Sequence, residues 1–135
     1  MKTKILVDSN VFVYAYDGTS AFHQDAVGFL SDPNVDFFST TKNISEYFAV
    51  LSKMNQPFDK VFRFYQDIRR NTTLLFPTDT SLNILEELLK KYQPRGNRVY
   101  DMEIVSIPLA NGIPEIRTVN VKDFTGVTEI SVASL

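Results

Sequence analysis

Short strand-like runs alternate with longer helical segments along the whole chain, and this alternation limits the fold more than any other feature. The first run, residues 4–7, is mostly apolar, as in a parallel strand that is buried on both faces. Strands are predicted at residues 4–7, 35–38, 74–76, 115–119 and 129–132. Strands that alternate with helices predict an α/β fold with a mainly parallel sheet flanked by helices.

Amphipathic segments with helical spacing fill the stretches between these strands. Ser20 suits the N-cap of a helix that runs to Leu30, and Pro57 suits the first turn of another. Thr78 or Thr80 is expected to cap the helix that follows the third strand. The residues predicted to form buried helical faces are Ile44, Tyr47, Phe48 and Leu51; then Phe58, Val61, Phe62, Tyr65 and Ile68; then Leu82, Leu85, Leu88 and Leu89.

Composition excludes several kinds of site. With 135 residues, 44% of them apolar, the chain suits one domain with a buried core, predicted over residues 1–135. No apolar run approaches the roughly 18 residues that a membrane span needs, so no membrane association is expected. The absence of cysteine excludes disulfides and thiolate metal sites, and the single histidine, His23, excludes a zinc site with several histidines in one chain. A cysteine-free chain suits the reducing cytoplasm, where we expect this protein.

Carboxylates follow two of the predicted strands at the point where each strand ends. Asp8 comes directly after the first strand, and Asn120 and Asp123 follow the strand at residues 115–119. In parallel α/β sheets, ligands bind beyond the carboxyl ends of the strands. These side chains are therefore expected at one edge of the sheet, where the chemistry of such folds takes place.

Two further acids lie on predicted helices. A helix is predicted at residues 98–110, stopped by Asn111-Gly112. Asp101 falls within about 60° of Ile104 and Pro108 around this helix, and a carboxylate centred on an apolar stripe is costly without a cation or donors. Glu46 points nearly opposite the apolar face of its own helix, so helical phase alone predicts an exposed side chain.

Three stretches together resemble the successive signatures of the PIN domain family, in particular the VapC-type toxins of toxin–antitoxin pairs. They are VDSNVFVYA, STTKNISEYFAVL and RGNRVYDMEIVSIPLANGIPEIRTVNVKDF. The resemblance implies a three-layer α/β/α sandwich and a ribonuclease that holds Mg²⁺ or Mn²⁺ in an acidic cluster. It also implies an RNA substrate, a small antitoxin partner and a homodimer.

The resemblance also implies roles for individual residues. Asp8 and Asp101 match the positions of metal ligands, and Glu46 matches the second acid of the family. Asn120 and Asp123 fall in the region of the fourth acid. The residues implied to orient the acids are Ser9, Asn10 and Thr118.

The chemistry of these residue types agrees with that assignment. Carboxylates gathered at one edge repel each other, and without a cation some must take up protons. Oxygen ligands without cysteine or a histidine cluster suit a hard ion such as Mg²⁺. Two features depart from the family pattern: Asn120 is a neutral ligand where many relatives have an aspartate, and Pro108 stands inside the helix of Asp101.

Basic residues are concentrated in the middle of the chain. Residues 51–100 hold nine Lys or Arg against five Asp or Glu, whereas both flanking segments are acidic and the net charge is −2. Ordinary solvated helix faces explain such charges. The alternative is contact with RNA phosphates, for which the candidates are Lys60, Arg63, Arg70, Lys90, Lys91, Arg95 and Arg98.

Three functional alternatives to a nuclease remain. A PIN scaffold with weakened catalysis would act as a binding module in a complex, and Asn120 and Pro108 motivate it. A phosphatase of the haloacid dehalogenase type also has an aspartate after its first strand. That chemistry requires Asp-x-Asp, whereas the second position here is Asn10, so this alternative is weak. A receiver-type phosphoacceptor lacks its acidic pair.

Overall fold

The computed structural model describes residues 1–135 and contains one five-stranded sheet. Its strands are β1 (Thr3–Val7), β2 (Val35–Thr40), β3 (Thr73–Leu75), β4 (Glu115–Arg117) and β5 (Ser131–Ala133). They lie side by side in the order β3-β2-β1-β4-β5, and every neighbouring pair is parallel. The predicted α/β fold with a parallel sheet is therefore confirmed.

Six helices connect the strands. They are α1 (Ser9–Tyr16), α2 (His23–Leu30), α3 (Thr41–Lys53), α4 (Phe58–Asn71), α5 (Asp79–Tyr92) and α6 (Arg98–Ala110). A short 3₁₀ turn, Val121–Phe124, lies between β4 and β5. None of the six helices has both the length and the apolar composition of a membrane span.

The helices form a layer on each face of the sheet, because alternate residues of a strand point to opposite faces. Leu6 of β1 packs in a core with side chains of α5 and α6, whereas Val7 packs in a second core with α1 to α4. Both residues are completely buried. The result is the expected α/β/α sandwich.

The order of the strands places a crevice next to β1. From β1 the chain adds β2 and β3 on one side and then β4 and β5 on the other. The strand order therefore reverses between β1 and β4, and ligands of open α/β sheets bind at such a switch point, beyond the carboxyl ends of the strands. Asp8 follows β1 directly, and Thr118 follows β4.

Some predicted boundaries were wrong by a few residues. Helix α2 begins at His23, because the Ser20 hydroxyl accepts a hydrogen bond from the Phe22 amide at 3.1 Å in a turn before the helix. Strand β4 ends at Arg117 rather than at residue 119. Helix α6 covers the predicted residues with Pro108 in its last turns, two turns beyond Asp101.

Part of the predicted core was wrong. Phe58 and Phe62 of α4 are 66% and 40% exposed, because the buried face of this helix is centred on Val61 and Ile68. Their rings contact Phe48 at the edge of the layer, with centroids 6.3 Å away in each case. We use the term aromatic face for the four rings that contact one another along α3 and α4: Phe48, Phe58, Phe62 and Tyr65.

Leu82 was also predicted in the core, but it is 52% exposed. The buried line of α5 runs through Ser81 and Leu88, which are seven residues apart, and Leu82 lies about 100° away from it. Ser81 is buried because it completes the capping box of Thr78 at the start of the helix.

Candidate active site

A cavity of about 280 Å³ opens at the switch point between β1 and β4. Its polar wall comes from the ends of β1 and β4, from α3 and from the first turn of α6. The cavity contains all five side chains that the sequence predicted as catalytic: Asp8, Glu46, Asp101, Asn120 and Asp123. Residues far apart in sequence thus meet at the edge of the sheet where the fold predicts a ligand.

Asp8 lies at the base of this cavity. Its amide donates to the Arg117 carbonyl at 3.0 Å, which extends the pairing of β1 with β4 by one residue. Its carboxylate caps α1 by accepting from the Ser9 amide at 2.8 Å. The side chain is a helix cap and a cavity residue at the same time, and it is only 5% exposed.

Thr118 and Asn10 hold the other oxygen of this carboxylate. The Thr118 hydroxyl donates to Asp8 Oδ2 at 2.9 Å and accepts from Asn10 Nδ2 at 3.0 Å. Asn10 Oδ1 in turn accepts from the Val119 amide at 3.1 Å. Asn10 therefore joins the start of α1 to the end of β4, and all three residues predicted to orient the acids, Ser9, Asn10 and Thr118, donate to Asp8.

Asn43 is a site residue that the sequence analysis did not identify. It is fully buried, and its Nδ2 donates to Asp8 Oδ1 at 3.1 Å. Its Oδ1 accepts from the Thr40 amide at 3.1 Å and from the Thr40 hydroxyl at 2.6 Å. The available signal was the Thr-x-x-Asn spacing directly after a strand, which resembles a capping box.

Glu46 is not the exposed residue that helical phase predicted. It is half-buried, and the Ser9 hydroxyl donates to its Oε2 at 2.9 Å. Helix α1 packs alongside α3, so the side of α3 opposite its apolar stripe faces the cavity and not solvent. Ser9 thus links the helix that begins at Asp8 to the acid of α3.

The acids of the cavity raise one another's pKa. Burial and the negative charges of Asp123, Asp8 and Glu46 raise the pKa of Asp101 to about 6, although the Arg98 guanidinium opposes the shift. Burial likewise raises the pKa of Asp8, against hydrogen bonds from Thr118 and Ser9. The pKa of Glu46 is raised by burial too, with the Ser9 hydrogen bond opposing it. A cation would relieve this repulsion.

The donor set fits a hard divalent cation with few protein ligands. No three acidic side chains are placed to coordinate one ion together. Mg²⁺ is commonly bound through one or two carboxylates, keeps several waters and takes further ligands from substrate phosphates. The carboxylates of Asp8 and Asp101 share the cavity, and this pair is consistent with that mode of binding.

The predicted basic residues occupy several surfaces. Arg98 is the one whose charge acts on the cavity, and its Nη2 donates to the Thr125 carbonyl at 2.9 Å. Lys91 pairs with Glu129 at 2.9 Å, and Lys90 and Arg70 pair with Glu87 and Asp67 on their own helices. Lys60 lies 5.6 Å from the centroid of the Tyr16 ring, and Arg63 and Arg95 are exposed. Their contact with RNA stays a prediction.

Solved toxin–antitoxin structures share this fold. VapBC2 from Rickettsia felis, solved bound to a promoter DNA fragment, gives a TM-score of 0.76 at 16% identity over 98% of this chain and 99% of that one. VapBC-1 from nontypeable Haemophilus influenzae gives 0.70 at 19% identity, over 98% of both chains. VapC20 from Mycobacterium tuberculosis, a Sarcin-Ricin loop cleaving toxin, gives 0.70 at 16% identity over 94% of this chain and 98% of that one.

No protein-family profile and no curated protein matches the sequence. The shared features are the five-stranded parallel sheet and its flanking helices, over nearly the full length of both chains. The chain has the PIN-like fold of the VapC toxins.

Proposed function

We propose that this protein is a metal-dependent ribonuclease that hydrolyses RNA phosphodiester bonds with Mg²⁺ or Mn²⁺. The observation that carries the proposal is the cavity at the switch point, which four carboxylates line and in which burial and the other three carboxylates raise the pKa of Asp101 to about 6. The structural neighbour that cleaves the Sarcin-Ricin loop supports RNA as the substrate class.

Asp8 and Asp101 would hold the metal, since both line the same cavity, Asp8 from the end of β1 and Asp101 from α6. A divalent ion held by these two carboxylates would supply neutralisation of the charge on the phosphate and activation of a water molecule for hydrolysis. Asn120 contributes a neutral oxygen, and Asp123 adds negative charge near Asp101.

The protein's own residues prepare the site before any ligand arrives. Four donors fix Asp8: the Ser9 amide, Asn43, Thr118 and, at 3.4 Å, Asn10. Its carboxylate plane therefore cannot turn freely. The Ser9 hydroxyl fixes Glu46 in the same way. Such preorganised groups lower the reorganisation needed when charge develops at the phosphate.

We further propose that the protein is the toxin of a type II toxin–antitoxin pair, acts in the cytoplasm and forms a homodimer. Two of the structural neighbours, from Rickettsia felis and Haemophilus influenzae, were solved as VapBC. The aromatic face exposes Phe58 and Phe62, and Val50 on the same helix as Phe48 is 41% exposed and also lines the acidic cavity. A small antitoxin with an apolar helix would cover such a surface and the entrance together.

The second candidate is a PIN scaffold with weakened catalysis. It is favoured by Asn120, which replaces a charged ligand with a neutral one, and by the lack of any group of three acids around one point. A scaffold would bind its partner but would neither bind a divalent ion nor cleave RNA.

The deciding experiment is cleavage of total RNA by the purified protein with Mg²⁺, with Mn²⁺ and with EDTA. The nuclease predicts cleavage that EDTA abolishes and that Asp8→Asn and Asp101→Asn both lose. Glu86→Gln is the matched control, because Glu86 is an exposed acid on α5 outside the cavity. A folded wild type that is inactive under all three conditions favours the scaffold.

A further inference from the structure

Lys42 and Tyr100 meet beside the acidic cavity. The Lys42 ammonium lies 3.9 Å from the centroid of the Tyr100 ring. Lys42 is one turn before Glu46 in α3, and Tyr100 directly precedes Asp101 in α6. The contact therefore bridges the two helices that supply two of the cavity's acids.

The ammonium of Lys42 is available to a ligand. Lys42 makes no ion pair, in contrast to Lys91 and Arg70, which pair with nearby acids. Its charge nevertheless reaches the cavity, where it opposes the raised pKa of Glu46. The four carboxylates of the cavity repel the phosphate backbone of a polyanion. The unpaired ammonium lies at their edge, where its positive charge opposes this repulsion.

The ring of Tyr100 is available as well. Tyr100 is 51% exposed, although the Lys42 ammonium lies over its ring. A solvent-accessible cation–π contact is weak, so a phosphate can replace the ring as the partner of the ammonium. The released ring face can then stack on a base. Positive groups that follow the backbone, next to aromatic rings that stack on bases, are how proteins bind single-stranded nucleic acid.

We propose that Lys42 and Tyr100 form a nucleotide-binding pair that positions the RNA strand over the acidic cavity. Lys42 binds a backbone phosphate next to the scissile one, and Tyr100 stacks on the base of the adjoining nucleotide. This inference rests on the proposed ribonuclease function and adds two positioning residues that lie outside the basic set predicted from the sequence.

The test measures binding, so that it does not depend on cleavage. In an Asp8→Asn background, we would titrate three fluorescein-labelled probes: a 12-nucleotide single-stranded RNA of mixed sequence, an RNA hairpin and an abasic 12-mer. Lys42→Gln should weaken binding of all three about fivefold and lower the slope of log Kd against log salt by about 0.7. Lys42→Arg should retain both the affinity and the salt dependence of the parent.

Tyr100 separates stacking from charge. Tyr100→Ala should weaken binding of the 12-nucleotide RNA at least about fivefold but leave the abasic probe unchanged, whereas Tyr100→Phe should bind like the parent. The matched control is Lys53→Gln, an exposed lysine at the far end of α3. Equal melting temperatures for Lys42→Gln and Lys53→Gln exclude misfolding as the cause.

The outcomes separate the inference from the function on which it rests. If the wild type binds and cleaves RNA while Lys42→Gln and Tyr100→Ala behave like Lys53→Gln, the nucleotide-binding pair is wrong and the ribonuclease stands. If the wild type neither binds any probe nor cleaves total RNA with Mg²⁺ or Mn²⁺, the nucleotide-binding pair and the ribonuclease function are both wrong.

Discussion

Asn43 Nδ2 donates to Asp8 Oδ1 at 3.1 Å, and both side chains are buried. This bond ties the acid after β1 to the first turn of α3. Because Asn43 also caps that helix through Thr40, one side chain stabilises the fold and orients the central carboxylate. Several consequences of this arrangement can be measured.

Asn43→Ala is expected to lower the free energy of unfolding by about 1–3 kcal/mol, since it leaves the buried Thr40 amide without its partner and removes one of the four donors to Asp8. RNA cleavage should fall as well. Urea denaturation and a cleavage assay below the melting temperature measure the two effects. Asn83→Ala, at an exposed position of α5, is the control and should change neither. If Asn43→Ala unfolds with the same free energy as the parent, the hydrogen bond between Asn43 and Asp8 is contradicted.

Ser9→Ala is expected to shift the acid limb of the cleavage rate toward higher pH. The Ser9 hydroxyl lowers the pKa of Glu46 by donating to its carboxylate, so its removal lets that pKa rise further. A pH–rate profile from pH 4 to 8 measures this. Ser45→Ala, whose serine is exposed next to Glu46, should keep the parent profile, and a shared profile for both variants would disprove the link.

The metal-free protein should lose stability as the pH rises from about 4 to about 6. The folded state holds the Asp101 proton more tightly than the unfolded chain does, with a pKa of about 6 against 3.8, so ionisation of this carboxyl destabilises the fold above that range. Asp101→Asn should therefore raise the melting temperature at pH 7.5 and have little effect at pH 4. An equal shift in melting temperature at pH 4 and at pH 7.5 would exclude ionisation of Asp101 as the cause.

A divalent ion that binds only the folded state should stabilise it by about 2.7 kcal/mol at 100 times its Kd. Melting curves with and without Mg²⁺ or Mn²⁺ measure this shift in the wild type. Asp8→Asn and Asp101→Asn should both lose it, while Glu86→Gln keeps it. A wild type without any shift would favour the weakened scaffold.

The aromatic face should contribute little to stability. Phe58→Ala is expected to cost less than about 1 kcal/mol, because the ring is 66% exposed. Leu51→Ala, which truncates a fully buried side chain of α3, should cost about 2–5 kcal/mol. Urea denaturation compares the two, and similar losses would mean that Phe58 belongs to the core.

Much of the architecture was readable from local patterns. An apolar run of β type that ends in Asp8 predicts a buried parallel strand with a carboxylate at its end, because strand propensity and burial on both faces act within a few residues. Helical periodicity identified Asp101, because a carboxylate on an apolar stripe is costly without a cation or donors. The helix capped by Thr78 and the helix stop at Asn111-Gly112 also follow from local backbone chemistry.

Only the tertiary structure decided which helix faces meet and what they enclose. Glu46 and Phe58 were both misjudged from helical phase, because phase defines the sides of a helix but not what packs against each side. Asn43 was missed because its partner, Asp8, lies 35 residues away in the sequence. The sequence by itself determined the type and order of the main elements and the acids that follow the strands; the order of the strands, which puts β1 between β2 and β4, determined that these acids line one cavity. The physical reason is that strand order depends on contacts between residues distant in the chain, and no local pattern encodes them.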